Sequence, residues 1–219
     1  MVAAASKPSL RERKKQRTRE SIVDSATRLF TVQGYDGTTL AQVAEDADVA
    51  TSTFFNYFPT KVDIVFCVLD AVIESARSRI EGRPEAESAV QAISAWLTAD
   101  LPSVEMPYAQ VIPTIGRIIE SSPELAAEQR LRLAKLEDVL AAGFARDFGE
   151  TPDGMRSRVM GAMALGGMLD AWSAWLETHA SDAELHLSEA LAAKAEYVVR
   201  VLEQGMKFID LLPGPNESA

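Results

Sequence analysis

Apolar residues recur every three or four positions along almost the whole chain, and nowhere with the two-residue alternation of a half-buried strand. Ile22, Ala26, Leu29 and Phe30 mark one helix face, with Gly34 placed to end it. Thr39-Leu40-Ala41-Gln42 has the form of a capping box and opens a short helix through Val43, Ala44 and Ala47. Thr60 to Asp63 has the same form. Beyond it, Val62, Val65, Phe66, Leu69, Val72, Ile73, Ala76 and Ile80 predict one rigid helix that stops near Gly82-Arg83-Pro84. Ala89, Ile93, Trp96 and Leu97 predict a helix ending before Pro102, and Tyr108 to Glu120 a helix kinked by Pro113 and Gly116. Ser122-Pro123, Thr151-Pro152 and Ser181-x-x-Glu184 are start signals for three longer helices. The expectation is an all-α chain of about nine helices.

One segment resists a simple reading. In Val49 to Lys61, "VATSTFFNYFPTK", four aromatic residues are interleaved with small polar ones. On a helix, Phe54 and Phe58 lie four apart and point together, toward Ile22, Leu29 and Phe30. Thr51, Ser52, Phe55 and Asn56 lie on other faces, flanked by Thr53 and Tyr57. With the helix from Thr39 and the turn at Asp48-Val49-Ala50, this makes a helix-turn-helix arrangement. Hydroxyls, an amide and an aromatic on an outer face suit a DNA major groove, and Lys61 offers a cation to the backbone. The competing reading is a structural αα corner in which Phe55 joins the core.

Charge sharpens that choice. The chain carries a net charge of −10, unevenly placed: residues 1–61 hold nine Lys/Arg against seven Asp/Glu, the rest thirteen against twenty-five. Seven of the nine N-terminal cations lie between Lys7 and Arg19. A basic segment ahead of an acidic body points to nucleic acid, or to a solvated tail. The single cysteine, Cys67, sits among apolar neighbours and reads as an inert buried thiol. No apolar run reaches the ~18 residues of a membrane span, so a cytoplasmic, nucleoid-associated protein with no membrane partner is expected. No enzyme is expected either: His179 and His186 are seven apart, unlike a metal pair on one helix face, and no nucleophile has a base nearby. No metal or cofactor is expected.

The stretch "TRESIVDSATRLFTVQGYDGTTLAQVAEDADVATSTFFNYFPTKVDIV" resembles the N-terminal domain of bacterial TetR-family transcriptional regulators. The shared features are the helix from Ile22 to Phe30, Gly34-Tyr35, Thr38-Thr39, Val43-Ala44, Val49, and Thr53 to Phe58 followed by Lys61. The resemblance implies a homeodomain-like three-helix DNA-binding domain ahead of a larger helical ligand-binding and dimerisation domain. It also implies DNA contacts at Thr39, Gln42, Thr51, Ser52, Thr53, Phe55, Asn56, Tyr57 and Lys61, with Arg17 in the basic segment. Three departures stand out. Asp48 occupies a usual glycine position, Ala50 replaces a serine cap and leaves Thr51 as the expected substitute, and Phe55 replaces a common tyrosine.

The remainder divides the chain into a flexible basic arm (1–15), a DNA-binding domain (16–76, motif about 39–58), a helical body (77–212) and a frayed tail (213–219). The helix from Val159 to Leu176 is apolar nearly all round, so it needs cover on several sides. Gly161, Gly166 and Gly167 would admit a close neighbour. Val159, Leu176, Leu191, Val198 and Leu202 are the expected homodimer interface, the alternative being a central helix in a monomer. Trp96, Tyr108, Ile112, Ile119, Phe144, Met163 and Trp172, with Ile115 and Trp175, are candidates for lining an apolar effector pocket. The C-terminal half resembles the acyl-CoA-like ligand-binding domain of an actinobacterial TetR subgroup that includes mycofactocin-type regulators. That resemblance implies a long apolar effector such as a fatty acyl thioester, with Arg117, Arg130 or Arg132 available to its phosphates. The resulting expectation is a dimeric repressor of a pseudo-palindromic duplex operator, released by its effector. The alternatives are an activator of the same fold and a helical adaptor that binds protein without DNA.

Overall fold

The computed structural model describes the backbone over residues 9–179 and 183–209, and side chains over the same ranges except 105–106 and 174–194. Every regular element described is helical: α1 (Leu10–Gln33), α2 (Leu40–Asp46), α3 (Thr51–Phe54), α4 (Lys61–Val65), α5 (Cys67–Glu81), α6 (Ala89–Ala95), α7 (Leu101–Glu105), α8 (Ile112–Glu120), α9 (Pro123–Phe148), α10 (Met155–His179) and α11 (Ala183–Ile209). A π turn (Trp96–Asp100) joins α6 to α7, and a 3-10 turn (Met106–Tyr108) follows α7.

The described residues form two compact units. The first comprises residues up to Cys67 together with Val111–Leu125. Its core gathers Ile22, Val23, Ala26 and Phe30 from α1, Val43 and Ala44 from α2, Phe54 and Phe58, and Ile64 and Val65 from α4, all nearly inaccessible. Burying each phenylalanine contributes roughly 1.5–3 kcal/mol before chain entropy is counted. α8 packs on α1 in this unit and buries Ile115, Ile118 and Ile119. The second unit comprises Val68–Gln110 and the chain from Ala126 on. Its buried centre includes Trp96, whose indole N–H donates to Ser75 Oγ at 3.1 Å, with Leu140, Phe144, Met160 and Leu202.

Local chemistry explains where the helices begin and end. Ser9 and Glu12 form a reciprocal capping box, so residues 10–15, expected in a flexible arm, are the first turns of α1. α1 ends at Gly34, whose φ of +80° suits glycine alone. The single helix expected from Thr60 to Ile80 is instead two. Phe66, with φ −100° and ψ 7°, interrupts it, and its ring is itself buried. Pro102 does not end its segment. The π turn ahead of it, closed by Leu101 N–H on Trp96 O, opens the backbone where a proline ring would crowd the carbonyl four residues back. Pro113 likewise does not sit inside a helix running from Tyr108: α8 starts at Ile112, and Pro113 lies in its first turn, where its missing N–H has no helical partner to lose. Thr151-Pro152 forms a turn before α10 instead of the helix start. The start is held by Glu150, which accepts from Ser157 N–H at 2.7 Å and from Ser157 Oγ at 2.6 Å.

Close helix contacts hold the second unit. A Cβ on Gly161 would lie 2.9 Å from that of Ala141 on α9, and one on Gly205 would lie 2.8 Å from Met163 Cε. α10 is therefore in tight contact with both α9 and α11. Gly167 meets Val198 of α11, whereas Gly166 has nothing close by. Arg83, after α5, donates to Gly143 O at 2.9 Å and pairs with Asp147, tying the end of α5 to α9.

Candidate nucleic-acid interface

The helix-turn-helix is positioned from its caps upward. Thr39 Oγ accepts from Gln42 N–H at 3.3 Å, and Gln42 Oε1 accepts from Thr39 N–H at 2.8 Å. The cap uses the carbonyl oxygen of the Gln42 side chain, so its amide nitrogen points elsewhere. The turn is closed by Val49 N–H on Ala44 O at 2.9 Å, with Asp48 at φ +53°. Asp48 therefore adopts the left-handed conformation expected of a residue in a glycine position, which aspartate tolerates better than most.

Thr51 does not act as the substitute cap. Ala50 is the N-cap residue, with non-helical ψ of 134° and no side-chain hydrogen bond, and Thr51 is already helical. The Thr51 hydroxyl therefore stays on the outer face. α3 itself is one turn long, extended by Tyr57 N–H and Phe58 N–H on Phe54 O at 2.8 and 3.1 Å.

The two sides of this segment differ sharply. Phe54 and Phe58 are 0% and 1% exposed, while Thr51, Ser52, Thr53, Phe55 and Asn56 are exposed and Tyr57 is half-buried. Phe55 meets Phe54 edge-on at 5.7 Å between ring centres but leaves 46% of its surface open. Phe55 is thus not a core residue. Thr39 and Gln42 at the start of α2 are also exposed, so one unit carries all eight of these polar or aromatic candidates outward or at the surface.

The cations divide into two groups. Arg11, Arg13, Lys14, Lys15 and Arg17 are exposed along the first turns of α1. Those nearer the motif engage the fold. The Arg19 guanidinium lies 4.7 Å over the Phe58 ring, and Arg28 pairs with Asp46 at the end of α2. Hydrogen bonding from Arg28 holds the Asp46 carboxyl below its usual value. Lys61 Nζ donates to Tyr35 O at 2.7 Å, lies 3.4 Å from Asp36 O, and sits 4.5 Å over the Tyr35 ring. Burial, then the charges of Asp36 and Asp63, raises the Tyr35 phenol and keeps it neutral. The pairs Lys61–Tyr35 and Arg28–Asp46 escaped the sequence reading, because partners 26 and 18 residues apart leave no periodic trace.

The other candidate sets are placed differently from expectation. Val198 and Leu202 are 2% and 0% exposed within this one chain, so both belong to its own core. They are corrected from interface to core residues, because α11 turns them toward α10, where Val198 meets Gly167. Val159 is 45% exposed, as are, to similar degrees, Leu169 and Tyr197. The Leu176, Leu191 and Trp175 side chains lie outside the described residues. Of the proposed effector-lining residues, Trp96, Tyr108 and Phe144 are buried in the second unit, with Met163 and Trp172 partly so. Ile112, Ile115 and Ile119 belong to the first unit. An open cavity of about 210 Å³ lies elsewhere in the second unit, lined by Ile80, Glu81, Arg83, Ala142, Gly143 and Arg146. Among the described residues, no cluster of His, Cys, Asp or Glu could hold a metal ion, and no helix is long and apolar enough to cross a membrane.

Comparison with known proteins bears on the motif and on the body. The sequence model of the family described as "Bacterial regulatory proteins, tetR family" matches residues 22–67, and that of the MftR C-terminal domain matches residues 110–203. The HTH-type transcriptional regulator TcmR of Streptomyces glaucescens is 33% identical over 162 residues, covering 71% of this chain and 72% of TcmR. The chain belongs to the TetR family of transcriptional regulators. It is a TetR-family regulator with an N-terminal helix-turn-helix and a helical C-terminal domain, not an enzyme. The HTH-type transcriptional repressor KstR of Mycolicibacterium smegmatis is 27% identical, over 73% of this chain and 71% of KstR. The fold is shared with FadR of Bacillus subtilis, solved in complex with stearoyl-CoA. The TM-score is 0.55 at 21% identity, over 84% of this chain and 97% of FadR.

Proposed function

We propose that this TetR-family regulator is a repressor that binds a pseudo-palindromic duplex operator as a homodimer and is released by a small apolar effector. The observation that carries the DNA reading is the division of the segment from Thr51 to Phe58. Its hydroxyl and amide groups face out, and its paired rings, Phe54 and Phe58, are sealed against α1 and α2. A protein-binding αα corner would need an apolar outer face. Here only Phe55 is apolar, among Thr51, Ser52, Thr53 and Asn56.

In this reading Asn56 pairs with an adenine edge, Ser52 and Thr53 reach bases or phosphates, and Phe55 meets a thymine methyl. The Tyr57 hydroxyl and Thr51 bind phosphate, and Gln42 and Thr39 approach from the start of α2. Arg17 and its neighbours on α1 take the duplex backbone. Two copies about 34–36 Å apart, one helical turn of DNA, would read both half-sites. Exposed Val159 on α10 supports a second copy packing there.

The effector is proposed to be a long apolar acyl group, such as an acyl-CoA. Its support is the family match of residues 110–203, the large apolar side chains of the second unit, and the stearoyl-CoA held by a protein of the same fold. Arg117, Arg130 and Arg132 remain candidates for its phosphates, although Arg132 already pairs with Asp70 at 3.0 Å and with Glu128. Affinity selection of genomic fragments followed by titration with acyl-CoA tests both steps. Recovered fragments should share an inverted repeat, and acyl-CoA should release them. Recovery of none would remove the DNA reading, whereas retention of DNA at saturating acyl-CoA would remove only the effector.

A further inference from the structure

Arg83, just past the end of α5, is the one charged residue buried among the described ones. Only one of its three guanidinium nitrogens is engaged: Nη2 donates to Gly143 O at 2.9 Å and to Asp147 Oδ1. Nε and Nη1 are buried and have no acceptor among the described residues. A buried N–H in that position is costly, because its hydration is lost and nothing replaces it. Burial accordingly lowers the Arg83 guanidinium from its ordinary value. Asp147 opposes that shift, and the nearby charge of Arg146 adds to it.

The surroundings do not balance the charge. Asp147 is the carboxylate partner of Arg83, and its second oxygen accepts from Ala89 N–H at 2.7 Å. Arg146 Nη1 donates to Arg83 O at 3.1 Å, and among the described residues Arg146 meets no carboxylate. Arg83 and Arg146 both line the cavity of about 210 Å³ described above, Arg83 from the buried side and Arg146 from the exposed side. Glu81, the one acidic residue of that lining, is already paired with Arg77 at 3.0 Å. Gly143 keeps room beside the guanidinium. A Cβ there would lie 3.3 Å from Arg83 Nη1 and 2.7 Å from Ile80 Cγ2.

We propose that this cavity, between the end of α5 and α9, is a binding site for a small oxyanion of the phosphate or carboxylate kind, held by the unpaired nitrogens of Arg83 and by Arg146. Planar guanidinium groups match the oxygens of such an ion and form charge-assisted hydrogen bonds with it. The space suits a group of a few atoms, since drug-sized ligands fill about 300–1,000 Å³. The site is therefore distinct from that of a long acyl effector, and it shares no residue with the proposed DNA contacts. A bound oxyanion supplies the missing acceptor and ties the end of α5 to α9 beside the Arg83–Asp147 pair.

Calorimetric titration of the full-length protein with inorganic phosphate, and separately with acetate, tests the site at an ionic strength held constant with chloride. One ion should bind per protomer. Arg146→Gln should weaken that binding about tenfold or more, with the melting temperature in chloride unchanged. Arg146→Lys, which keeps the charge but loses the planar fork, should fall between the two. Crystals soaked in selenate, a tetrahedral ion visible by anomalous scattering, should show a peak beside Arg83 and Arg146. Binding of phosphate alone would make the ligand a phosphate group, and binding of acetate as well would make it an oxyanion of either kind. Saturable binding of neither ion would overturn the proposal. So would an Arg146→Gln protein that binds like wild type, or selenate found only along α1. No DNA or acyl compound takes part in these measurements, so such a failure would leave the operator and effector readings standing.

Discussion

The segment from Thr51 to Phe58 and the pair α10–α11 are both rich in large apolar side chains, yet only the first was sorted correctly from its sequence. In the first, polar residues fill the outward positions apart from that of Phe55, so a helical period separates Phe54 and Phe58 from Ser52 and Asn56. In the second, apolar residues surround α10, and the period cannot say which side meets the chain's own helices. Val198 and Leu202, expected at a surface between subunits, are inside one protomer, while Val159 on the preceding helix is open. Polar residues carry the orientation information in a helix. Where they are missing, packing partners decide.

Substitutions on the buried sides of these helices should have the largest effects. Val198→Asp would place a carboxylate without a partner between α10 and α11 and should cost about 3–5 kcal/mol, visible as loss of cooperative unfolding in urea. Val159→Asp, on the open side, should keep the fold and yield monomers in light scattering. If Val159→Asp remains a dimer, the exposed face of α10 is not the subunit interface. Phe54→Ala should cost about 3–5 kcal/mol by emptying the core behind α3, measured as a lowered denaturation midpoint.

On the outer side of α3 the effects should shift from stability to binding. Asn56→Ala should lose about 1–3 kcal/mol of discrimination for a selected operator while its melting temperature stays put. An unchanged sequence preference would remove Asn56 from base readout. Tyr57→Phe, smaller again, should lose about 1 kcal/mol of affinity through one hydroxyl, read in a gel-shift titration.

Other features were legible for the same reason that α3 was: their signals are local. The Thr39–Gln42 and Thr60–Asp63 caps and the left-handed Asp48 all form within a few residues. The break at Phe66 was invisible, because the buried residues on either side, from Ile64 to Ile80, keep one phase across it. Ala50, unable to cap, still ends up as the N-cap, since the turn geometry set by Asp48 and Val49 fixes where α3 starts. The packing of α8 on α1 and the contact of Lys61 with Tyr35 join residues far apart in the chain. Neither has a signature shorter than the fold.

Operator recognition as proposed depends on the outer face of α3 touching nucleotides. Photocrosslinking from a benzophenone side chain placed at Ser52, in the presence of an operator recovered from genomic DNA, tests that contact without relying on affinity. The structure predicts a protein–DNA adduct from position 52 that disappears when competitor operator is added. Operator binding with no adduct from position 52, or adducts only to protein, would contradict it.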